Sequence, residues 1–240
     1  MVNKNKNMKI SVCLASYNGE KYIKEQLSSI LKQLSPEDEV IVSDDSSSDN
    51  TIKIIESFNN NQIKLYRNQQ FKSPIYNFEN AIKNSSGDVI VLSDQDDIWE
   101  NNKLDIIRNR FKNIDNNIVE LYNGICIDEF GNKKYDDLFV YLNQKQGFFR
   151  NIYKNSFIGC NMAFKSSLKK HILPFPKNIP MHDSWIGLCG YIFGNVNFVD
   201  YKIFRYRLHS NNYTGKKTSI KQKIKWRFSL VFNLIKRYFI

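Results

Sequence analysis

The sequence lacks the features that mark disulfide-rich, zinc-binding and membrane-spanning proteins. Its four cysteines, Cys13, Cys126, Cys160 and Cys189, are far apart and form no Cys-x-x-Cys pair. This spacing argues against structural zinc and against a disulfide scaffold, and it favours reduced thiols in the cytosol. Because no run of 18 or more apolar residues is present, we expect no membrane-spanning helix.

Two further absences concern the ends of the sequence. The first seven residues, Met1-Val-Asn-Lys-Asn-Lys-Asn, are mostly polar and have no apolar core, which is not the pattern of a secretory signal. Acidic residues are absent from positions 201–240, whereas 11 of the 35 basic residues lie there. The remaining 24 basic residues balance the 24 acidic ones, so the net charge of +11 belongs to this last segment.

Apolar strands alternate with amphipathic helices over the first hundred residues. The pattern predicts strands at 9–15, 39–43, 63–67 and 89–92, and helices at 20–34, 50–58 and 74–84. This order predicts an α/β fold with a Rossmann-like, mostly parallel sheet, helices on both faces and right-handed crossovers. Further along, we expect one strand at 119–127 and a helix at 185–192 with Asp183 as its N-cap.

Acidic loops follow two of the predicted strands. Asp44 and Asp45 follow the second strand, and Asp94, Asp96 and Asp97 follow the fourth. Because parallel strands end on the same side, both loops should lie at the carboxyl edge, where open α/β sheets bind ligands. Carboxylates this close repel one another unless a cation or hydrogen-bond donors compensate them. A divalent cation shared with phosphate oxygens is one explanation, and a solvated acidic loop or a helix N-cap cluster is the other.

Five motifs occur together in one order along the chain. They are Ala15-Ser-Tyr-Asn-Gly-Glu20, Ser43-Asp-Asp-Ser-Ser-Ser-Asp-Asn-Thr51, Ser93-Asp-Gln-Asp-Asp-Ile-Trp99, Met181-His-Asp-Ser-Trp185, and Tyr206-Arg-Leu-His209 with Asn212. Over residues 9–213 this set resembles glycosyltransferase family two. The Asp-Gln-Asp-Asp-Ile-Trp form is most similar to bacterial rhamnosyltransferases and related enzymes of surface polysaccharides such as capsule and O-antigen.

The resemblance implies the GT-A fold. We therefore expect a nucleotide-sugar-binding half at residues 1–112 and an acceptor-binding half of the same domain at residues 113–215. A basic amphipathic tail at residues 216–240 would follow.

The resemblance also implies roles for single residues. The residues that match the nucleotide pocket are Ala15, Ser16, Tyr17, Glu20, Asp45 and Asp94, with Asp45 on the pyrimidine base and Asp94 near the ribose. Asp96 and His209 match the metal ligands of relatives that hold Mn²⁺ or Mg²⁺. Asp183 matches the general base.

Each of these assignments has a plainer alternative in the residues themselves. Position alone equally explains Asp183 as a helix cap, and His209 as a surface or core histidine. Asp97 can orient a neighbouring ligand instead of binding anything itself. His182 stands where relatives usually have an acidic residue, so the role of that position is open.

The reaction implied by the resemblance is an inverting, metal-dependent sugar transfer. The first choice is rhamnose from dTDP-rhamnose, passed to a lipid-linked or polysaccharide acceptor in surface polysaccharide synthesis. UDP-galactose, UDP-glucose or a UDP-N-acetylhexosamine is the alternative donor. A different class of protein, a non-catalytic module that binds sugar nucleotides, is the further alternative.

The basic tail carries apolar residues at helical spacing: Ile220, Ile224, Phe228, Val231, Ile235 and Phe239. A basic amphipathic helix with aromatic residues is typical of an interfacial membrane element, so we expect a cytoplasmic protein peripheral to the inner face of the cell membrane. Packing of this apolar stripe on the domain, or on a second subunit as a homodimer, is the alternative. The neutral body and the stripe argue against a nucleic-acid partner.

Overall fold

The computed structural model describes residues 8–112, 114, 116–210, 212 and 218–239. The polar segment 1–7, Tyr213 at the end of the motif region, and the basic Lys216 and Lys217 lie outside the described residues.

Eleven strands and nine α-helices are present in the described part of the chain. In order they are β1 (Ile10–Ser16), α1 (Ile23–Leu31), β2 (Glu39–Asp44), α2 (Thr51–Ser57), β3 (Ile63–Tyr66), α3 (Pro74–Asn84), β4 (Val89–Ser93), β5 (Ile98–Trp99), α4 (Lys103–Phe111), β6 (Ile118–Tyr122), β7 (Ile125–Ile127), β8 (Lys133–Tyr135), α5 (Leu138–Tyr141), α6 (Phe148–Tyr153), β9 (Met162–Lys165), α7 (Lys169–Ile172), α8 (His182–Phe193), β10 (Asn195–Val199), β11 (Phe204–Arg207) and α9 (Ile220–Tyr238).

Seven strands form the central sheet in the order β10-β6-β9-β4-β1-β2-β3. Strand β9 runs antiparallel to both of its neighbours, and the other strand pairs of this sheet are parallel. The register pairs Ser16 with Asp44 on one side of β1 and Leu14 with Ser93 on the other. The mostly parallel sheet is confirmed, and the loops after β1, β2 and β4 meet at one edge.

Helices cover both faces of this sheet. Side chains of a strand alternate between its faces, so Ile10, Val12 and Leu14 belong to one buried core together with residues of α1, α2 and α4. Cys13 points into the other core, which includes residues of α3 and α8. The alternating burial follows from the apolar runs of β1, β2 and β4, whose residues are nearly all buried.

The predicted single strand at 119–127 is wrong, because the chain divides there into β6 and β7. A β-carbon at Gly124 would lie 2.7 Å from the carbonyl oxygen of Phe204, so this close crossing leaves no room for a larger residue. The Asn123 side chain fixes the break by accepting hydrogen bonds from the amides of Gly124 (2.8 Å) and Phe139 (3.1 Å). Strand β7 joins a second sheet of order β5-β11-β7-β8.

Both proposed halves contribute to the central sheet, since β6, β9 and β10 continue it beyond β4. The division of the domain at residues 112 and 215 stays a prediction.

Helix α9 packs on α6 and α8 through the buried Leu230 and Leu234. Neither leucine belongs to the predicted apolar stripe, whose six members are all exposed. Packing of the stripe on its own domain is therefore wrong. Within the described part of the chain, every helix is too short or too polar to cross a bilayer.

Candidate active site

The loops after β1, β2 and β4 are tied together by hydrogen bonds. Ser16 donates its hydroxyl to Asp44 (2.7 Å). The side chain of Gln95 accepts from the amide of Tyr17 (2.9 Å) and donates to the Tyr17 carbonyl (3.0 Å). Glu20 accepts two bonds from Asn50, both 2.9 Å. Of the predicted nucleotide-pocket residues at positions 15–20, Ala15 and Ser16 end β1, and Tyr17 and Glu20 lie in the loop that these bonds hold.

Asp45 follows β2, and its carboxylate already has partners within the chain. It accepts hydrogen bonds from the amides of Phe71 (2.6 Å) and Ser73 (3.0 Å). These bonds fix the loop before α3 over the edge of the sheet. A carboxylate has about four acceptor positions, so a base N–H can still bond to Asp45.

The carboxylates after β4 form a crowded cluster. Ligand atoms of Asp94, Asp97 and Cys160 all lie within 4.8 Å of one another. Burial, and then the charges of Asp96, Asp97 and Asp183, raise the pKa of Asp94 well above its usual range. Burial and the charge of Asp96 raise the pKa of Asp97 to about 7. The carboxyl groups of Asp94 and Asp97 therefore lack a full positive counter-charge at this position.

The cation beside this cluster is itself strongly affected by burial. Lys103 lies 1% exposed, with its ammonium 4.0 Å from the Trp99 ring centroid and 4.7 Å from that of Phe204. Burial lowers the pKa of Lys103 to about 7, although Cys160, Asp97 and Asp94 favour its charge. A partly neutral lysine is a weak counter-ion for the carboxyl groups of this cluster.

Asp96 and His209, the two predicted metal ligands, are in direct contact. His209 Nε2 lies 2.8 Å from Asp96 Oδ2, and the His209 ring stacks on Tyr22 with centroids 5.2 Å apart. Arg207 supports the pair by donating from Nε to the Asp96 carbonyl (2.8 Å) and from its terminal nitrogen to Glu25 (2.6 Å). The structure thus brings residues 113 positions apart to one point.

Two donor sets can be tested against the divalent cation that the resemblance implies. Cys160 contributes to one set, but burial and the charges of Asp97 and Asp94 raise the pKa of its thiol, which keeps it protonated. Mg²⁺ and Mn²⁺ prefer oxygen ligands, and imidazole nitrogen also suits many divalent metals. Asp96 and His209 supply such atoms and are partly exposed, at 17% and 11% of the side chain. These two residues fit the ion better.

Asp183 lies in the first turn of α8 and is buried. Its carboxylate accepts from the Ser184 amide (2.5 Å) and from Asn155 Nδ2 (3.2 Å). Burial raises the pKa of Asp183 to about 7 against the effect of these bonds. The N-cap of α8 is Met181, one residue before the helix begins, so the predicted start at 185 and the N-cap role of Asp183 are wrong.

His182 is a packing residue. Its ring stacks on Phe78 with centroids 4.0 Å apart, and neither ring nitrogen has a hydrogen-bond partner among the described residues. Burial lowers the pKa of His182 to about 3, so the ring is neutral. A β-carbon at Gly159 would lie 2.4 Å from His182 Nε2, so a glycine is needed at that contact.

Three residues with clear contacts in the site have no predicted role in the sequence. Gln95 and Arg207 lie inside the motifs given above. The sequence pointed to Gln95 only by its position between Asp94 and Asp96, and to Arg207 only by its position two residues before His209. Asn155 lies in no motif, and its contact with Asp183 depends on a loop conformation 28 residues away.

The family model for glycosyl transferase family 2 matches residues 11–173. The dTDP-rhamnosyl transferase RfbG of Shigella flexneri is 31% identical over 244 residues, covering 92% of this chain and 79% of that protein. The chain belongs to glycosyl transferase family 2.

A second relative matches the enzyme over a shorter region. It is the Escherichia coli UDP-Glc:alpha-D-GlcNAc-diphosphoundecaprenol beta-1,3-glucosyltransferase WfgD, 42% identical over 98 residues. That match covers 40% of this chain and 38% of WfgD.

Solved structures confirm the GT-A fold of the enzyme. Residues 1–349 of Staphylococcus aureus TarS in complex with UDP-GlcNAc superpose with a TM-score of 0.73 at 21% identity, covering 94% of this chain and 66% of that one. The mannosyltransferase PcManGT of Pyrobaculum calidifontis, in complex with GDP-Man and Mn²⁺, gives a TM-score of 0.61 at 14% identity. That match covers 98% of this chain and 74% of PcManGT. The family match and the similarity to RfbG show that the chain is a glycosyltransferase.

We predict that Gln95→Ala weakens nucleotide binding by up to about thirtyfold, because two hydrogen bonds that fix the loop at Tyr17 are lost at roughly 1 kcal/mol each. Calorimetric titration with UDP and dTDP measures the affinity. Gln222→Ala, on α9, is the matched control and should bind as the unmodified enzyme does. Equal affinity of the Gln95 variant and the control would show that the hydrogen bonds between Gln95 and Tyr17 have no part in binding.

Proposed function

We propose that this enzyme transfers a sugar from a nucleotide diphosphate donor, with inversion, to a lipid-linked or polysaccharide acceptor in surface polysaccharide synthesis. The observation that carries the proposal is the position of Asp183, a buried carboxylate with a pKa near 7, close enough to Asp94 for its charge to act there. The site residues keep the roles that the resemblance implies.

The preferred donor is dTDP-rhamnose. The match to RfbG supports this choice, because it extends through both the donor side and the acceptor side of the chain. A UDP-sugar is the alternative, supported by the higher identity to WfgD over a shorter region. The name of WfgD also supports an acceptor linked through a diphosphate to undecaprenol.

Asp183 is suited to take the proton of the acceptor hydroxyl. A general base works best when its pKa lies near the operating pH, and burial places that of Asp183 at about 7. Asn155 and Ser184 hold the carboxylate in one orientation by hydrogen bonds. A hydroxyl deprotonated here attacks the anomeric carbon from the face opposite the leaving diphosphate, which inverts the configuration.

Asp96 and His209 would hold Mn²⁺ or Mg²⁺, which when bound neutralises charge on the diphosphate. Asp94 and Asp97 lie next to this pair along the chain, and their raised pKa values are consistent with a site at which a bound cation would stabilise the deprotonated carboxylates. The guanidinium of Arg207 keeps Asp96 in place by donating to the Asp96 backbone carbonyl.

A panel of dTDP-rhamnose, UDP-glucose, UDP-galactose and UDP-N-acetylglucosamine tests the proposal by release of nucleotide, with Mn²⁺ and with a chelator. We expect turnover of one donor that requires the metal. Asp183→Asn should lower the rate about 10²- to 10⁴-fold, since a positioned base contributes that much. Asp136→Asn, an exposed carboxylate paired with Lys133, is the control.

Binding of nucleotide without turnover of any donor would favour the non-catalytic module instead. An Asp183 variant as active as the control would exclude that residue as the base. A product that retains the donor's anomeric configuration in NMR spectra would contradict the single displacement.

The acidic limb of the pH profile should report Asp183, because the base acts only when deprotonated. We expect kcat/KM to rise with pH and level off above about 7. Asn155→Ala removes a hydrogen bond that lowers the pKa of Asp183, so this limb should move up by roughly 0.5–1 pH unit. Lys154→Ala is the control. A limb that stays in place in the Asn155 variant would show that this hydrogen bond does not tune the base.

We also propose that the reaction takes place at the inner face of the cell membrane, where a lipid-linked acceptor is found. A homodimer remains the alternative use of the tail.

A further inference from the structure

Helix α9 has two apolar faces with different surroundings. Leu230 and Leu234 are each 3% exposed and pack toward α6 and α8. The other face consists of Ile220, Ile224, Phe228, Val231, Phe232, Ile235 and Phe239, all of them exposed. We call this second set the outer apolar face.

The outer apolar face is continuous along the helix. At 3.6 residues per turn, its seven members fall within an arc of roughly 120°, and the centre of this arc lies roughly 120° from the two buried leucines. The aromatic members protrude furthest, with Phe228 74%, Phe232 67% and Phe239 80% exposed. Exposed apolar patches of this extent mark interaction surfaces.

Fixed contacts to the body hold this face outward. Arg227 donates to the Tyr153 carbonyl (2.6 Å), and Arg237 donates to the carbonyls of Leu173 (2.7 Å) and Pro174 (2.6 Å). The hydroxyl of Ser229 donates to the Lys177 carbonyl (3.3 Å). The helix is thus anchored along its length, and its outer face is not needed for packing within the chain.

The charges beside this face select the partner. Four exposed lysines, Lys221, Lys223, Lys225 and Lys236, lie on the same helix, and none pairs with a carboxylate within the described residues. The whole of 201–240 contains no acidic residue. A helix with aromatic residues on one face and unpaired lysines around it matches an anionic lipid surface.

A second copy of this chain is a poorer partner. Symmetric pairing through α9 would set the same surface against itself, which brings two sets of lysines together without any acidic partner on the helix. Nucleic acid would satisfy the lysines, but it would leave the aromatic side chains exposed to water.

We propose that the outer apolar face of α9 binds the surface of an anionic lipid membrane with the helix lying in the interface. Phe228, Phe232 and Phe239 insert among the acyl chains, and the lysines contact the headgroups. The membrane contact does not depend on the proposed sugar transfer. Only its use, which is to bring a lipid-linked acceptor to the site, rests on that function.

The anchors of α9 connect this membrane surface to the candidate base. Arg227 donates to the carbonyl of Tyr153 at the end of α6, and two residues further along the chain Asn155 donates to Asp183. At the other end of the helix, the guanidinium of Arg237 lies 5.7 Å from the ring centroid of Trp185, two residues after Asp183. A membrane bound to α9 therefore lies against the acceptor side of the enzyme.

Flotation of the full chain with phosphatidylcholine vesicles, with and without phosphatidylglycerol, tests the proposal. We expect binding to the anionic vesicles. The double variant Phe228→Ser, Phe239→Ser should lower the partition coefficient at least about tenfold, because it removes two exposed aromatic side chains that the bilayer would bury. The control is Phe130→Ser, whose ring is 81% exposed in the turn between β7 and β8. It should float as the unmodified chain does.

The lysines are tested separately. A Lys221→Gln, Lys225→Gln, Lys236→Gln variant should lose about fivefold in partition for each charge removed on anionic vesicles, with no change on neutral ones. Thermal unfolding of every variant should match that of the unmodified chain, since these side chains are exposed.

Three results would overturn the proposal. The first is an unmodified chain that does not float with anionic vesicles, and the second is a double phenylalanine variant that floats as well as the Phe130 control. The third is a dimer in solution that the double variant dissociates, which would make the face an interface between copies. Donor turnover without vesicles, measured on the same samples, reports the proposed function independently.

Discussion

Four carboxyl groups repel one another at the carboxyl edge of the central sheet, where Asp94, Asp96 and Asp97 follow β4 and Asp183 lies close enough to act on Asp94. The opposite edge of the same sheet shows how this protein treats buried acids elsewhere. There Asp38 pairs with Arg108 (2.7 Å) and Glu39 with Lys64 (2.6 Å). Burial raises the pKa of Glu39, but hydrogen bonds from Lys64, Ser11 and Ser86 outweigh it and lower that pKa to about 2.

At the carboxyl edge the balance is reversed. The pKa values of Asp94 and Asp97 are raised, and the nearby Lys103 has its own pKa lowered to about 7 by burial. Such a cluster is costly unless a cation joins it. The braces around it, from Gln95 to Tyr17 and from Arg207 to Asp96, keep the carboxylates together despite their repulsion. A cation at this edge would stabilise the deprotonated forms of these carboxylates.

Much of the fold was predictable because its signals are local. The apolar runs of β1, β2 and β4 and the helical spacing of α1 and α3 gave the parallel sheet, and its geometry placed both acidic loops at one edge. The motifs implied that Asp96 and His209 act together, but their contact depends on the path of the chain through β11. The break at Asn123 was missed, because it depends on the approach of Phe204.

The contacts that tune the site were not predictable, since they depend on loops distant in sequence. Asn155 reaches Asp183 only through the conformation of residues 153–157, and Lys103 becomes a buried cation only because Trp99 and Phe204 enclose it. Helical spacing identified the outer stripe of α9, yet it did not show that Leu230 and Leu234 would be the residues that pack on the body.

The most direct measurement is anomalous X-ray scattering from Mn²⁺ in crystals grown with dTDP or UDP. If Asp96 and His209 hold the ion, one peak lies within bonding distance of Asp96 Oδ and His209 Nε2, adjacent to the diphosphate. A peak at Asp94, Asp97 and Cys160 instead, or none with the nucleotide bound, would contradict this assignment.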